Sequence, residues 1–318
     1  MAEWIASVLI FVVSSLFLIK AASLAVKYIL EVARLVRVTE FLASFVLAGF
    51  VSILPEFFVG VNAALEGVPD VGIGTLIGNN IVDLTLVIGI IVILGKDIPA
   101  GGKHRLATFP FLAAIGLPLA LMLDGSLNFL DGAILVGACI GYFAWMISQN
   151  RLREEGSGFR LEQIALPMGK FAAMMVIIYF ASRFVVESSV DLSHILGIPE
   201  IFAGLFIISI GAALPELTFS IQAVLSRHKS VGLADILGNV AIDATLSIGV
   251  MAMIAPFPID LGIIGISTLI MGFAALLLTT FLDDGKRLTR RDGIALIGLF
   301  VVFVVVQFVL NAPTIMHP

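Results

Sequence analysis

The chain has 318 residues, of which 60% are hydrophobic and 13% charged, with a net charge of −5 and a mean hydropathy of +1.13. Soluble domains carry about 25% charged residues, so a water-soluble core cannot absorb this apolar excess and the whole chain reads as membrane-embedded. The single Cys139 excludes a disulfide framework and a cysteine-based zinc site, and the small negative charge excludes a nucleic-acid partner.

A window of about 20 residues predicts ten membrane-spanning helices. They fall near 4–26, 39–65, 71–95, 106–123, 129–148, 166–186, 200–225, 231–256, 259–281 and 292–311. The first apolar segment runs past the length of a signal-peptide core, so no cleaved leader is expected. Positive charge alternates between connections. Lys27, Arg34 and Arg37 follow the first span, Lys96, Lys103 and Arg105 the third, and Arg151, Arg153 and Arg160 the fifth. Arg227 and Lys229 follow the seventh, and Lys286, Arg287, Arg290 and Arg291 the ninth. Fifteen of the 18 basic residues thus share one side, which the positive-inside rule makes cytoplasmic. Both termini are then extracytoplasmic, and the expected location is the cell membrane.

The longest polar connection, "SQNRLREEGSGFRLEQ" at 148–163, lies at the chain midpoint. It reads as a cytoplasmic linker, 149–165, between a first five-helix unit at 1–148 and a second at 166–318. Five is odd, so the second unit enters the membrane in the opposite orientation. The expected fold is an all-α integral membrane protein of ten helices, arranged as two inverted repeats with helices broken at the midplane.

The residues repeat as well. Shifting 47–89 by 160 positions onto 207–249 needs no gap and gives 14 identities in 43 positions. The pairs include Leu54/Leu214, Pro55/Pro215, Glu56/Glu216, Gly78/Gly238, Asn79/Asn239, Asp83/Asp243 and Thr85/Thr245. Unrelated apolar segments share stray leucines and glycines; they do not share Leu-Pro-Glu and Gly-Asn-x-x-x-Asp at one separation. "GVP" at 67–69 turns the chain between Glu56 and Asp83. At 1.5 Å rise per residue, Glu56 lies about 18 Å from that turn and Asp83 about 22 Å back, so the two carboxyls reach similar depth. Glu216 and Asp243 do the same in the other half. A pseudo-two-fold axis in the membrane plane brings all four together.

Intramembrane carboxyls are functional by default. Pro55 cannot donate to the Val51 carbonyl, nor Pro215 to that of Gly211. Carbonyls freed in this way are tolerated where they line a cavity or hold an ion. Gly78 and Gly238 are expected to loosen their helices just before the aspartates. Four carboxyls with released carbonyls form a hard-oxygen site suited to Ca²⁺, which takes six to eight oxygens; Mg²⁺ is less favoured. Asn79, Asn80 and Asn239 add amide oxygens, and Ser52 a hydroxyl. The four histidines lie away from these motifs, which disfavours softer metals. Asp235 faces Thr75 in the repeat and reads either as a cavity-lining accessory or as a packing residue. Paired broken helices in inverted repeats are the pattern of secondary transporters.

At these residues the sequence resembles the cation/calcium exchanger superfamily, its sodium/calcium exchangers most closely. The likeness covers two "alpha repeats", about 42–92 and 202–252, through "LPE" with "GNNIVD" and "GNVAID". The resemblance implies Ca²⁺ exchange, with Glu56 and Glu216 as central ligands and Asp83 and Asp243 completing the set. Those exchangers carry Thr and Ser before Leu-Pro-Glu as Na⁺ ligands, where this chain has Ser52-Ile53 and Ala212-Ala213. Both aspartate positions are acidic here, and four carboxylates exceed the charge of one Ca²⁺ by two. Protons can discharge such a site without hydroxyl ligands, so H⁺ is favoured over Na⁺ as counter-ion. No cofactor and no enzymatic activity are expected. Two rivals differ in class. A carboxylate-lined channel lacks a reason for paired broken helices, and an aspartyl protease using Asp83 and Asp243 lacks one for Glu56 and Glu216.

Overall fold

The computed structural model describes residues 2–36, 49–99, 104–148, 161–225, 229–285 and 287–310. The basic linker residues Arg151, Arg153 and Arg160 fall outside them, as does the carboxyl terminus. The described chain is overwhelmingly helical. In the first half, α1 (Ala2–Leu35) precedes α2 (Gly49–Ser52), α3 (Leu54–Leu65) and α4 (Pro69–Val82). A π-helical turn, Asp83–Val87, leads into α5 (Ile88–Gly95), and α6 (His104–Leu121) and α7 (Phe129–Ser148) complete that half. The second half runs through α8 (Leu161–Leu196), the short α9 (Glu200–Phe202), a π-turn at Ala203–Ile208, α10 (Ser209–Leu225) and α11 (Lys229–Ile242). A further π-turn, Asp243–Ser247, opens α12 (Ile248–Ile254), and another, Leu261–Gly265, opens α13 (Ile266–Gly285) before α14 (Arg290–Leu310).

Among the described residues, seven helical segments are long and apolar enough to cross a membrane: Trp4–Leu35, Pro69–Gly95, Gln163–Leu196, Glu200–Thr218, Ile236–Ile254, Leu261–Asp283 and Arg290–Leu310. Shorter apolar helices occupy Leu54–Leu65, Phe109–Asp124 and Phe129–Trp145. Large apolar side chains such as Phe17, Phe109, Leu130 and Val309 point outward. That surface suits hydrocarbon and not water.

Two helices outrun their predicted spans. The sequence predicts 4–26 and 166–186, yet α1 has 34 residues and α8 has 36. Their shared seam explains it. Ser7, Ser14, Leu18, Ala21, Ala25 and Val32 are all buried. Their spacing is the seven-residue repeat that sustains long helix pairs, and it continues past the point where Lys20, Lys27, Glu31 and Arg34 lower the hydropathy. The two helices run antiparallel: the Ser7 hydroxyl reaches Asp191 at 3.5 Å near one end, and the Lys170 ammonium stands 5.4 Å over the Tyr28 ring near the other. Ile178, Ala181 and Val185 of α8 meet Leu18, Ala21 and Ala22 of α1 and Leu54, Val59 and Ala63 of α3 in one apolar cluster.

A larger cluster built on α4, α5 and α10–α14 surrounds the middle of the molecule. Two short ribbons close its ends. Strand β1 (Ile98–Pro99) pairs antiparallel with β4 (Arg287–Leu288), and β2 (Ser126–Leu127) with β3 (Phe257–Pro258). A shift of 160 residues carries β1 onto β3 and β2 onto β4 to within one residue, so it exchanges the two ribbons. The same shift carries α1 onto α8, and the π-turn at Asp83–Val87 onto the one at Asp243–Ser247.

Glycine allows the closest helix crossings. A Cβ on Gly89 would stand 2.9 Å from the Gly293 carbonyl oxygen, and one on Gly249 would stand 2.9 Å from that of Gly132. Backbone-to-backbone approaches of this kind have no flexible atom that can yield. We therefore expect Gly249→Ala to destabilise the protein by about 1–3 kcal/mol, as overpacking does. Gly137→Ala, with nothing within 4 Å of its added carbon, should be near neutral. Thermal unfolding of the two variants in one detergent checks the contrast.

Candidate ion-binding site

The Leu-Pro-Glu segment folds differently in the two halves. In the first half, α2 ends at Ser52, Ile53 forms a turn, and α3 starts at Leu54 with Pro55 in its first turn, where a missing N–H costs nothing. The Phe57 N–H closes back onto the Ile53 carbonyl at 2.9 Å. The expected break therefore occurs, next to a buried Val51. In the second half α10 continues without interruption from Ser209 to Leu225, through Pro215, and the irregular backbone lies earlier, in the π-turn Ala203–Ile208. Gly211 is half-buried on that continuous helix.

The glycines before the aspartates do not loosen their helices, contrary to expectation. α4 and α11 stay regular through Gly78 and Gly238, and each becomes a π-turn at the aspartate itself. Gly78 serves packing: a Cβ there would lie 2.5 Å from the Leu205 carbonyl oxygen. Gly74 and Gly204 meet in the same crossing, an added carbon on Gly74 falling 2.6 Å from the Ile201 oxygen and one on Gly204 against that of Val71. A π-turn displaces backbone carbonyls from their α-helical donors. Thr85 and Thr245, identical in the repeat, donate their hydroxyls to the Ile81 and Ala241 carbonyls. They satisfy backbone that the turns would otherwise leave bare in an apolar interior.

These elements bury all four predicted carboxyls. Glu56, Asp83 and Asp243 are at most 1% exposed and Glu216 is 5% exposed. Neither Glu56 oxygen has a hydrogen-bonding partner on another residue, and within electrostatic reach of this carboxyl stand Glu216, Asp243 and Asp83. Uncompensated burial of even one charge is expensive, so a buried carboxyl with three others within electrostatic reach demands a neutralising species. Among the described residues, however, no three acidic, histidine or cysteine side chains close on one point as ligands of a single ion do.

The amides and hydroxyls tie the halves together. The Ser52 hydroxyl donates to Asn239 Oδ1 at 3.1 Å, and the Asn79 side chain interacts with the Asp243 carboxyl. Asn79 Oδ1 and both polar atoms of Asn80 are buried without a hydrogen-bonding partner. Asp235 lies on α11, its side chain outside the described residues; Thr75, its counterpart, bonds the Val71 carbonyl at 2.8 Å. Residues 53 and 213, buried as Ile and Ala, bring no oxygen. One polar contact was not foreseen: Ser247 donates to Asp243 Oδ1 at 2.8 Å. Its repeat mate is Val87, so the repeat carries no signal for it; a hydroxyl four residues after an intramembrane aspartate does.

The two halves also differ in how they are covered. Leu54 is 6% exposed beneath α8, and its mate Leu214 is 49% exposed. Asn62, four residues below Phe58 on the covered face, donates to the Tyr179 carbonyl at 3.1 Å and to the Ser182 hydroxyl at 2.8 Å. Arg183 pairs with Glu66 at 3.0 Å just beyond. The equivalents of Ser182 and Arg183 on α1 are Ala22 and Ser23, which cannot repeat these ties.

Comparisons with known proteins agree with this architecture. The chain is 26% identical over 284 residues to a putative antiporter, CaxA, of Alkalimonas amylolytica, covering 85% of this chain and 89% of that protein. It is 22% identical over 349 residues to the sodium/calcium exchanger MaX1 of Methanosarcina acetivorans, covering 94% and 98%. Among solved structures, an H⁺/Ca²⁺ exchanger, CAX, superposes with a TM-score of 0.82 at 19% identity over 98% of this chain and 86% of that one. The sodium–calcium exchanger NCX_Mj superposes with a TM-score of 0.70 at 19% identity over 95% and 99%. The family described as sodium/calcium exchanger protein matches residues 6–148 and 166–309. A match over nearly the whole chain, with the buried carboxyls on its paired motifs, makes this integral membrane protein a member of the sodium/calcium exchanger family, within the cation/calcium exchanger superfamily.

Proposed function

We propose that the chain is a secondary active antiporter that carries Ca²⁺ by alternating access, exchanging it for a monovalent counter-ion, with H⁺ favoured over Na⁺. One observation carries this reading: four carboxyls from the two halves are buried, three of them within electrostatic reach of Glu56, and both Glu56 oxygens lack a partner on another residue. Only a cation or protons can neutralise such a group, and only oxygen ligands are offered. Glu56 and Glu216 are the central ligands, with Asp83 and Asp243 beside them. Asn79, Asn80, Asn239, Ser52, Asp235 and the Val51 and Gly211 carbonyls form the accessory set. Binding draws the carboxyls in upon the ion by side-chain rotation and helix movement.

The same reading takes the chain as ten membrane helices in two inverted five-helix units, 1–148 and 166–318, joined by a cytoplasmic linker. Support comes from the 160-residue shift, which exchanges the β1–β4 and β2–β3 ribbons and maps α1 onto the antiparallel α8. Lys96 and Arg287 mark one ribbon, and Asp124 and Asp260 flank the other, which suits a cytoplasmic and an extracytoplasmic end. Unequal cover of Leu54 and Leu214 suits a transporter caught with one side closed. A channel would need both sides open at once.

Glu56→Gln and Glu216→Gln each keep side-chain volume while removing one charge. Both should abolish ⁴⁵Ca²⁺ uptake into proteoliposomes and leave the protein folded and monodisperse in detergent; near-normal flux in either would remove that residue from the ligand set.

The counter-ion is resolved by clamping the Na⁺ and H⁺ gradients separately in the unmutated protein. Ca²⁺ uptake should follow the pH gradient and respond little to Na⁺, because Ile53, Ala212 and Ala213 supply no side-chain oxygen. Strong Na⁺-driven flux indifferent to pH would assign the chain as a Na⁺/Ca²⁺ exchanger proper.

Orientation has its own test. In a Cys139→Ala background, an impermeant thiol reagent added outside intact cells should label Leu196→Cys at the end of α8. It should reach Ser148→Cys at the end of α7 only after permeabilisation. Both positions are exposed, and the reverse pattern would invert the topology.

A further inference from the structure

The two aspartates occupy equivalent places, yet one of them has a partner that the repeat does not supply to the other. Asp243 and Ser247 open and close the same π-turn, and both are 1% exposed. The Ser247 hydroxyl donates to Asp243 Oδ1 at 2.8 Å. Oδ2 of the same carboxyl is buried, and the Asn79 side chain of the first half also interacts with this carboxyl.

This bond departs from what buried serines in helices do. Ser188, Ser189, Ser193, Ser209 and Ser267 each donate to a backbone carbonyl one turn back, the usual outcome. For Ser247 that carbonyl would be Asp243's own. In the π-turn that carbonyl accepts from the Ile248 N–H, five residues on. The Ser247 hydroxyl goes instead to the carboxyl. At the equivalent place in the first half stands Val87, also 1% exposed and without a donor.

We propose that Ser247 is a positioning residue that sets cation selectivity. By engaging Oδ1 it orients the carboxyl so that Oδ2 alone faces the ion, and Asp243 contributes one oxygen where a free carboxylate can contribute two. This rests on the reading of Asp243 as an ion ligand. The consequence is a cap on coordination number. Ca²⁺ accepts six to eight oxygens from carboxylates in either mode, and ligand number and rigidity decide between cations of one charge. A carboxylate held to one oxygen favours Ca²⁺ over the larger Sr²⁺ and Ba²⁺, which need more oxygens around them. Partners behind a ligand tune a site in this way.

The test is competition of Sr²⁺ against ⁴⁵Ca²⁺ uptake by the full-length protein in proteoliposomes. Ser247→Ala should raise the Ca²⁺ half-saturation concentration roughly tenfold, the lower end of what loss of such a partner costs. It should also move the ratio of Sr²⁺ to Ca²⁺ affinity several-fold towards Sr²⁺. Ser247→Thr, which keeps the hydroxyl, should restore the ratio. A purely structural serine would lower the amount of active protein and leave the ratio where it was; an unchanged ratio in Ser247→Ala, or no rescue by Thr, overturns the proposal. Should Ser247→Ala fail to fold, Val87→Ser offers the converse. It places a hydroxyl beside Asp83 and should move the ratio towards Ca²⁺, an unmoved ratio again counting against the proposal. Asp243→Asn separates the two levels. If it leaves Ca²⁺ uptake intact, Asp243 is not a ligand and the underlying reading falls. If it abolishes uptake while Ser247→Ala keeps the parent ratio, only the selectivity role falls.

Discussion

Hydrocarbon offers no water to an exposed peptide group or carboxyl, and the arrangement of this protein follows from keeping its polar interior away from lipid. Irregular backbone beside the acidic residues is surrounded by protein. The π-turns at Asp83–Val87 and Asp243–Ser247 are buried nearly throughout, and threonine hydroxyls from within the turns engage carbonyls of the turn before. Around them the helices approach as closely as backbone allows, at Gly74 and Gly204, at Gly89 and Gly293, and at Gly132 and Gly249. Leu and Ile side chains fill the remaining space to a depth that leaves few polar atoms without a partner. Most of those that remain, on Glu56, Asn79, Asn80, Asn239 and Asp243, belong to the paired motifs themselves. Polar demand is thus concentrated where a cation can meet it.

The two halves share a residue pattern at a separation of 160, and several positions within it are unequal. Val87 faces Ser247, Thr75 faces Asp235, Gly60 faces Ser220 and Ser52 faces Ala212. Each exchange puts a more polar group in one half than in the other. A strictly symmetric site would present the same ligands to both sides of the membrane and would hold both outer cover and inner cover equally well. The ties of Asn62 to Ser182 and of Glu66 to Arg183, whose α8 partners have Ala22 and Ser23 as mates on α1, give this chain a chemical reason to differ between its two halves.

Much of this was legible in the sequence. Leu-Pro-Glu and Gly-Asn-x-x-x-Asp recur 160 residues apart, and acidic residues in an apolar chain are so costly that their positions alone mark the interior. The backbone detail was not legible. A π-turn of five residues differs from an α-helical turn by one residue in hydrogen-bond spacing, too little to alter the apolar pattern of "DLTLV" or "DATLS". Gly78 was misread because a glycine serves equally as a weak point and as a contact surface, and only the nearness of Leu205 separates the two. Pro215 lies in a helix that runs on through it, from Ser209 to Leu225, where the sequence predicts a break. The extra length of α1 and α8 escaped a hydropathy window because it depends on their mutual seam and not on lipid.

That extra length has a mechanical side. At 1.5 Å per residue, α1 is about 51 Å long and α8 about 54 Å, against a hydrocarbon layer of about 30 Å. Neither rod fits upright inside the apolar layer, so each leans, or carries its charged end out among the headgroups. Because α1 and α8 are locked along a common antiparallel seam, they lean as one body, and the angle of that body answers to the thickness of the bilayer around it. The lipid composition of the host membrane is therefore a load on the same helix pair that covers Leu54 and leaves Leu214 bare.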